Sequence, residues 1–233
     1  MKLNGFVGKG SGKLGSSVFA ISGGEQIVRE YNPRVANPNT TKQVNQRAKF
    51  KLMSQLAAEM AMAMAFKKTG LKSARNQFVS KNIKNAYIEN GDARVNLISL
   101  QITAGNTSVP GIVTSIGENN ALHVELATAA SEAFEGIVYN VFRVDDDNKI
   151  KFVKQVIVNI PGADGKFATD LTTDSGAFVV YAYGIKANDA KAKVDYQNYV
   201  ANMSDEEATL SWTDILNISN YALSYTVADT QEV

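Results

Sequence analysis

The stretch AFVVYAYGIK, residues 177–186, decides the predicted fold, because it is short and rich in the β-branched and aromatic residues that favour strands. Six similar runs precede it, separated by turn signals such as residues 117–120 and 163–165. These runs are residues 97–103, 112–116, 121–127, 136–144, 150–160 and 166–171. Short strands at this spacing are typical of two packed antiparallel sheets, so the sequence predicts an all-β sandwich of about seven strands.

The residues just before this stretch bear on which kind of sandwich is expected. Asp174, Ser175 and Gly176, followed by Phe178, resemble the corner before a late strand of immunoglobulin-like folds, with Phe in the place of the usual Tyr. The resemblance implies an immunoglobulin-like β-sandwich over residues 92–202. Residues 208–212 and 221–227 also have strand composition, so we expect residues 203–233 to form an extra strand pair, added to the sandwich or contributed to a neighbouring copy.

The first 91 residues have a different texture. Residues 17–22 and 25–31 are two β-rich runs joined by a Gly-Gly pair, which predicts a β-hairpin. Thr40 and Gln43 have capping-box spacing, so a helix is predicted over residues 41–68, ending at Gly70, and a second helix over residues 73–87. The predicted fold class is α+β, with an N-terminal β-hairpin arm and long helix followed by the sandwich. The predicted domains are residues 1–91, 92–202 and 203–233.

The second half of the predicted long helix, residues 56–66, is apolar on almost every side. It is too short to cross a bilayer, so we expect protein to bury it on all sides. One domain of this size hardly surrounds such a helix alone, and a subunit interface is therefore predicted. The candidate interface residues are Leu56, Met60, Met64 and Phe66. The methionines are interpreted as flexible core fillers and not as ligands of a cofactor.

The glycine-rich stretch GKGSGKLG, residues 8–15, invites comparison with phosphate-binding loops. Aligned on Gly12 and Lys13, the P-loop pattern fails, because Val7 replaces its first glycine and Leu14 replaces its hydroxyl residue. The dinucleotide pattern Gly-x-Gly-x-x-Gly does match, but it needs a preceding strand and a following helix, whereas a hairpin is predicted here. We therefore expect no cofactor, and interpret the stretch as a flexible or closely packed arm.

Other chemical motifs are weak. His123 and Glu125 share one face of a predicted strand, where a general base is conceivable but a solvent-facing histidine is the ordinary outcome. Asp145 begins an acidic run that fails the EF-hand pattern, because Lys149 and Ile150 occupy its fifth and sixth positions. The chain has one histidine and no cysteine, so neither a zinc site nor a thiol nucleophile is expected. The sequence predicts no enzyme, no membrane span and no export signal.

The net charge of +1 conceals a strong asymmetry, since residues 1–90 carry a net charge of +11 and residues 91–233 a net charge of −10. The basic part favours an acidic protein partner over nucleic acid, because its charges are spread along the segment and not clustered with aromatic residues. The two parts also suit attraction between neighbouring copies in a head-to-tail ring.

The N-terminal third resembles a known protein family. The resemblance lies in four motifs, namely Ser-Gly-Lys-x-Gly at 11–15, the hairpin, Asn37 to Gln43, and Gln-Arg-Ala-Lys-Phe at 46–50. They are similar to those of uncharacterised proteins from Bacteroidota and their phages, which share the arm, the helix and a C-terminal sandwich. The likeness is strongest over residues 8–52, and residues 203–233 look like an addition to the family pattern.

The resemblance implies a non-enzymatic structural virion protein, similar to the small collar proteins that form rings around the portal and tail of crAss-like tailed bacteriophages. The implied partners are copies of itself and the portal, ring or tail proteins, and the implied location is the virion, after synthesis in the cytoplasm of the bacterial host. The expected arm contacts are Gly8, Gly10, Gly12, Gly15, Phe19, Ile21, Ile27, Val28 and Tyr31.

Two further classes of function stay open. One is a host-surface module that binds a glycan or protein, for which Tyr181/Tyr183 and Tyr196/Tyr199 are the only evident aromatic pairs of the sandwich region. The other is a nucleic-acid-binding protein that uses the basic N-terminal part.

Overall fold

The computed structural model describes residues 10–22, 24–34, 39–68, 70, 72–105, 107–117, 121–128, 134–145, 149–158, 168–172, 176–202 and 221–232. It contains three α-helices and antiparallel sheets within these ranges, so the α+β class is confirmed. The chain divides into two compact units, Met1–Val44 and Asn45–Val233. This division differs from the predicted boundary near residue 91, because the segment after residue 45 shares a core with the later strands.

The first unit contains a three-stranded antiparallel sheet in the order β1-β2-β3. Its strands are β1 (Gly12–Leu14), β2 (Ser17–Ser22) and β3 (Glu25–Glu30). The predicted hairpin is confirmed, but the glycine-rich stretch also supplies a strand. Leu14 pairs with Ser17 across a two-residue loop whose first residue, Gly15, has φ +58°. A positive φ at this position is characteristic of the type II′ turn, which explains the glycine.

Helix α1 (Thr41–Glu59) begins where it was predicted, with the amides of Gln43 and Val44 donating to the Thr40 carbonyl. Its predicted end at residue 68 is wrong. The chain leaves the helix after Glu59, and Ala65 pairs in parallel with Thr103. An all-round apolar pattern is typical of a buried helix, but periodicity alone does not separate such a helix from a buried irregular segment.

The second predicted helix is also too long. Helix α2 (Ala74–Asn82) is capped by Ser73, whose side chain accepts the Asn76 amide at 3.2 Å, and a single 3-10 turn follows it. The chain then forms a hairpin of β4 (Ala86–Glu89) and β5 (Asp92–Val95). Asn90 and Gly91 join these strands with φ of 52° and 91°, as the type I′ turn requires.

The remaining elements follow in chain order. They are β6 (Ile112–Ile116), β7 (Ala121–Leu126), β8 (Gly136–Val144), β9 (Ile150–Val158), β10 (Ala168–Thr172), β11 (Ala177–Ala187), α3 (Ala190–Asn202), β12 (Tyr221–Leu223) and β13 (Val227–Glu232). Six of the seven predicted strands are confirmed. The exception is residues 97–103, which begin with a 3-10 turn at Leu97–Ser99, and α3 was not predicted. The predicted strand at 208–212 lies outside the described residues.

Two antiparallel sheets build the β-rich part. The smaller has the order β10-β7-β6. In the larger, β9 pairs with β8, β8 pairs with β11, and β12 and β13 pair with successive parts of the other edge of β11. The predicted extra strand from residue 221 is thus paired with a strand of its own chain. Between the sheets, Thr114 of β6 donates its backbone amide and its hydroxyl to Asp229 Oδ2, at 3.0 and 2.7 Å.

The strands β8 and β11 are the central strands of the larger sheet, and both of their faces are buried. Ile137, Tyr139 and Val180 belong to a core shared with Leu122 and Val124 of the smaller sheet. The alternate residues face a second core, in which the end of α1, the segment after it, and α2 cover the larger sheet. Its members include Val138, Phe142, Tyr181, Tyr183, Met53, Met60, Phe66, Phe78 and Leu100. Buried central strands read as nearly continuous apolar runs, which is what residues 136–142 and 178–185 show.

Candidate assembly surface

The N-terminal sheet has one apolar face. Strand pairing places Phe19 opposite Val28, Ile21 opposite Gln26, and Leu14 opposite Ser17. Because cross-strand partners and every second residue point to the same side of a sheet, Leu14, Phe19, Ile21 and Val28 share one face. We call these four residues the apolar face of the N-terminal sheet. The polar residues Ser17, Gln26 and Glu30 lie on the same side.

Much of this face is exposed. The Leu14 side chain is 73% exposed and Ile21 is 49% exposed, whereas Phe19 and Val28 are half-buried. Gln26, on the same side, is buried and donates its side-chain amide to the Gly10 carbonyl at 3.3 Å. Exposed apolar residues gathered on one side of a small sheet mark an interaction surface more often than residues scattered singly.

The opposite face is charged. Lys13, Glu25 and Arg29 lie there, and Lys13 Nζ is 3.6 Å from the centroid of the Tyr31 ring, a cation–π contact. Ile27 is half-exposed on this side. The predicted arm contacts are therefore divided, with Phe19, Ile21 and Val28 on the apolar face and Ile27 on the charged one.

The glycines of the predicted arm lie in or beside the first strand. Gly12 belongs to β1, Gly15 begins the loop after it, and the Gly10 carbonyl binds Gln26. Gly8 lies outside the described residues. The dinucleotide pattern therefore spans a strand and a turn and is followed by β2, so it lacks the helix N-terminus that would bind a pyrophosphate.

The predicted helix interface needs a correction. Leu56, Met60, Met64 and Phe66 are each at most 3% exposed within the chain itself. We expected a neighbouring subunit to cover them, but the larger sheet of the same chain does so. Their side chains therefore offer no surface to a second copy.

The remaining candidates are the residues considered for catalysis or metal binding. His123 and Glu125 are half-buried on the side of β7 that faces away from the core, as alternation predicted. The described ranges contain no cluster of three or more His, Cys, Asp or Glu side chains that could bind a metal ion. Residues 146–147 of the acidic run lie outside the described residues.

The aromatic residues considered for a host-surface module are mostly internal. Tyr181 and Tyr183 are fully buried, Tyr196 is nearly so, and Tyr199 is half-buried. A separate cleft of about 450 Å³ includes Tyr87 and Ile98, both half-exposed, beside Asn96 and Gln231. Its lining contains two aromatic residues, of which Phe178 is buried and only Tyr87 is accessible, so it offers one ring to a glycan and not a pair.

No model of a known protein family and no curated protein matches the sequence. Within the described residues, no helix is long and apolar enough to span a membrane.

Proposed function

We propose that the protein is a non-enzymatic structural subunit that assembles with copies of itself through its N-terminal sheet. The observation that carries this proposal is the apolar face, where Leu14 and Ile21 are exposed and contiguous with Phe19 and Val28. A three-stranded sheet stands near the lower limit of independent stability, so covering this face would stabilise the sheet and the assembly together.

The edges of the sheet support the same proposal. In the order β1-β2-β3, β3 is an edge strand of six residues, and its outer edge pairs with no strand among the described residues. Such an edge presents peptide N–H and C=O groups that can extend a sheet across a subunit boundary. The basic part before residue 90 and the acidic part after it favour a heterologous contact, in which unlike surfaces of two copies meet.

The proposed setting is a ring around the portal and tail neck of a tailed-phage particle, with portal, ring or tail proteins as further partners. It rests on the resemblance of the N-terminal motifs. We further propose that the β-rich part is immunoglobulin-like. The strand orders β10-β7-β6 and β13-β11-β8-β9 correspond to the E-B-A and G-F-C-C′ orders of that fold, which supports this assignment.

The direct experiment is a mass measurement of the purified protein by native mass spectrometry and light scattering. We expect a closed oligomer that resists dilution, and we expect deletion of residues 1–36 to give a folded monomer. A protein that stays monomeric at every concentration, also with its partner proteins present, would contradict the proposal. If the full-length protein stays monomeric and binds DNA in a salt-dependent manner, the nucleic-acid alternative is supported instead.

A further inference from the structure

A groove lies between helices α1 and α2, and its floor is apolar. Phe50 and Ser54 of α1 line one side, and Val79 of α2 and Ile83, just after that helix, form the floor. The groove has a volume of about 320 Å³. Phe50 is 55% exposed, although it stands beside the half-buried Ile83 and the largely buried Val79. We call this site the helical groove.

Arg75 holds the two sides of the helical groove together. Its Nη2 donates to the Ser54 carbonyl at 3.1 Å and to the Ser54 hydroxyl at 3.0 Å, so the start of α2 is tied to the last turns of α1. The shape of the groove is therefore set before any partner arrives, which lowers the entropic cost of binding.

The length of the groove matches a short stretch of helix. On the α2 side its lining runs from Arg75 to Ile83, and Asn76, Val79, Ser80 and Ile83 have the i, i+3, i+4 and i+7 spacing of one helix face. At 1.5 Å per residue this side is about 12 Å long, or two helical turns. An amphipathic helix that lies along such a groove inserts apolar side chains at the same spacing.

The rim of the helical groove is basic. Arg47, Phe50, Lys51 and Ser54 also have the i, i+3, i+4 and i+7 spacing, so the two cations lie on the face of α1 that lines the groove. Lys84 directly follows the last residue of the other side, and all three cations are exposed. We call these three cations the basic rim.

The charge around the groove selects the kind of partner. Residues 41–85 carry ten Lys and Arg side chains against a single acidic one, Glu59. A complementary partner is therefore acidic, and it also has apolar side chains to cover Phe50. A nucleic-acid backbone supplies the negative charge but leaves Phe50 and Val79 without an apolar partner.

We propose that the helical groove docks an acidic amphipathic helix of a different protein. Two or three apolar side chains of this helix pack against Phe50 and the floor, and its carboxylates face the basic rim. The choice of a different protein rests on the proposed function, in which copies of the chain contact one another through the N-terminal sheet. The acidic and apolar character of the partner rests on the groove alone.

The probe is a fluorescein-labelled synthetic peptide of about 18 residues, long enough to form a helix, with Leu at the i, i+3, i+4 and i+7 spacing and Glu at most other positions. Fluorescence anisotropy measures its binding to the intact wild-type protein. We expect saturable binding that weakens as the salt concentration rises. Two control peptides, one with Ser in place of Leu and one with Lys in place of Glu, should not bind.

A substitution of Phe50 tests the apolar part of the groove. Phe50→Ser should weaken the binding of the Glu peptide about tenfold, because the peptide loses the exposed half of the phenylalanine side chain as a packing surface. Met62→Ser is the matched control, because Met62 is 60% exposed and does not line the groove. Circular dichroism checks that both variants keep the native fold.

A charge reversal tests the basic rim independently. The double variant Lys51→Glu/Lys84→Glu should bind the Glu peptide at least about tenfold more weakly and should gain affinity for the Lys peptide. Lys149→Glu/Lys151→Glu is the matched control, because it changes the net charge equally at exposed residues at the start of β9 that do not line the groove. This control should bind the Glu peptide as the wild type does.

Other results would overturn the proposal. They include no binding of the Glu peptide, and equal affinities of the wild type and Phe50→Ser. A short DNA duplex that binds the wild type and Phe50→Ser equally, but not the rim variant, would assign the groove to nucleic acid. Dissociation of the wild-type oligomer by the Glu peptide would assign it to a second copy. In each case the mass of the variant without residues 1–36 would still decide the proposed function separately.

Discussion

The Tyr181 hydroxyl donates a hydrogen bond of 2.8 Å to the Leu97 carbonyl oxygen. Tyr181 lies on β11 at the centre of the larger sheet and is fully buried, whereas Leu97 opens the 3-10 turn that follows β5. The bond therefore joins the central strand to the layer that covers it. The Tyr181 ring also packs edge-to-face against the Phe142 ring of β8, with the two ring centroids 5.7 Å apart.

The first prediction concerns this bond. Tyr181→Phe keeps the ring but leaves the Leu97 carbonyl without this donor in a buried place. We expect the free energy of unfolding to fall by about 1–3 kcal/mol, measured by urea denaturation. Tyr87→Phe is the control, because Tyr87 is half-exposed, and it should change the stability little. Equal effects of both substitutions would contradict the role of the buried bond.

Buried tyrosines give a second prediction, for alkaline pH. Burial raises the pKa of Tyr181, Tyr139, Tyr196 and Tyr199 above the ordinary value of 10.0. Above about pH 10 the unfolded chain loses these protons while the folded chain keeps them, so the free energy of unfolding falls as the pH rises. Burial lowers the pKa of Lys81, which acts in the opposite direction, but it is one group against four.

The test is urea denaturation at a series of pH values from neutral to alkaline. Stability should be flat with respect to these groups below pH 10 and should decline above it, by about 1.4 kcal/mol per pH unit for a fully buried residue such as Tyr181. The Tyr181→Phe variant should show a shallower decline than the wild type. An identical decline in the two proteins would exclude Tyr181 as a contributor.

The strands of the β-rich part were predictable because β-branched and aromatic runs alternate with turn residues along the chain. Residues 112–116, 136–144 and 177–186 needed no tertiary information to be recognised. The hairpin at Asn90 and Gly91 could also be predicted, since Asn-Gly is a strong hairpin signal, although the predicted helix over residues 73–87 overlaps the start of its first strand, Ala86–Glu89.

Other features were not predictable, because they depend on contacts between distant parts of the chain. The backbone of Ala65 bonds to Ile102, and this contact, not a local signal, accompanies the early end of α1. The burial of Met60 and Phe66 by the larger sheet likewise required the fold. The candidate site was easier to predict from the sequence, because alternation along β2 already places Phe19 and Ile21 on one face.

The third prediction concerns a close backbone approach. A Cβ atom added at Gly105 would collide with the carbonyl oxygens of Leu223 and Ser224, which are backbone atoms and cannot rotate away. Gly105→Ala should therefore destabilise the fold by about 1–3 kcal/mol or more. Gly111→Ala is the matched control, because a Cβ there meets no atom within 4 Å. Thermal unfolding compares the two, and similar melting temperatures would contradict the close approach.

The fourth prediction concerns the link between the two sheets. Asp229 Oδ2 accepts both the backbone amide and the hydroxyl of Thr114, and hydrogen bonds to a charged group are among the stronger ones. Asp229→Ala should lower the free energy of unfolding by about 1.5–3 kcal/mol in urea denaturation. The neighbouring Thr230→Ala should have a small effect, because Thr230 is exposed. A neutral Asp229→Ala variant would show that the link contributes nothing to stability.

The fifth prediction separates the two faces of the N-terminal sheet. Ile21→Lys places a charge in the apolar face, whereas Ala20→Lys places the same charge one residue away on the opposite face. Ile21 is 49% exposed before assembly, so a subunit contact covers about half of its side chain, which is worth roughly 0.8–1.5 kcal/mol, and the lysine would in addition lose part of its hydration. Each subunit contact should therefore weaken about tenfold in Ile21→Lys. Native mass spectrometry over a dilution series should show this variant dissociating while Ala20→Lys stays assembled. If both variants dissociate equally, the contact does not discriminate between the faces. If only Ala20→Lys dissociates, the charged face with Lys13 and Tyr31 forms the subunit contact instead.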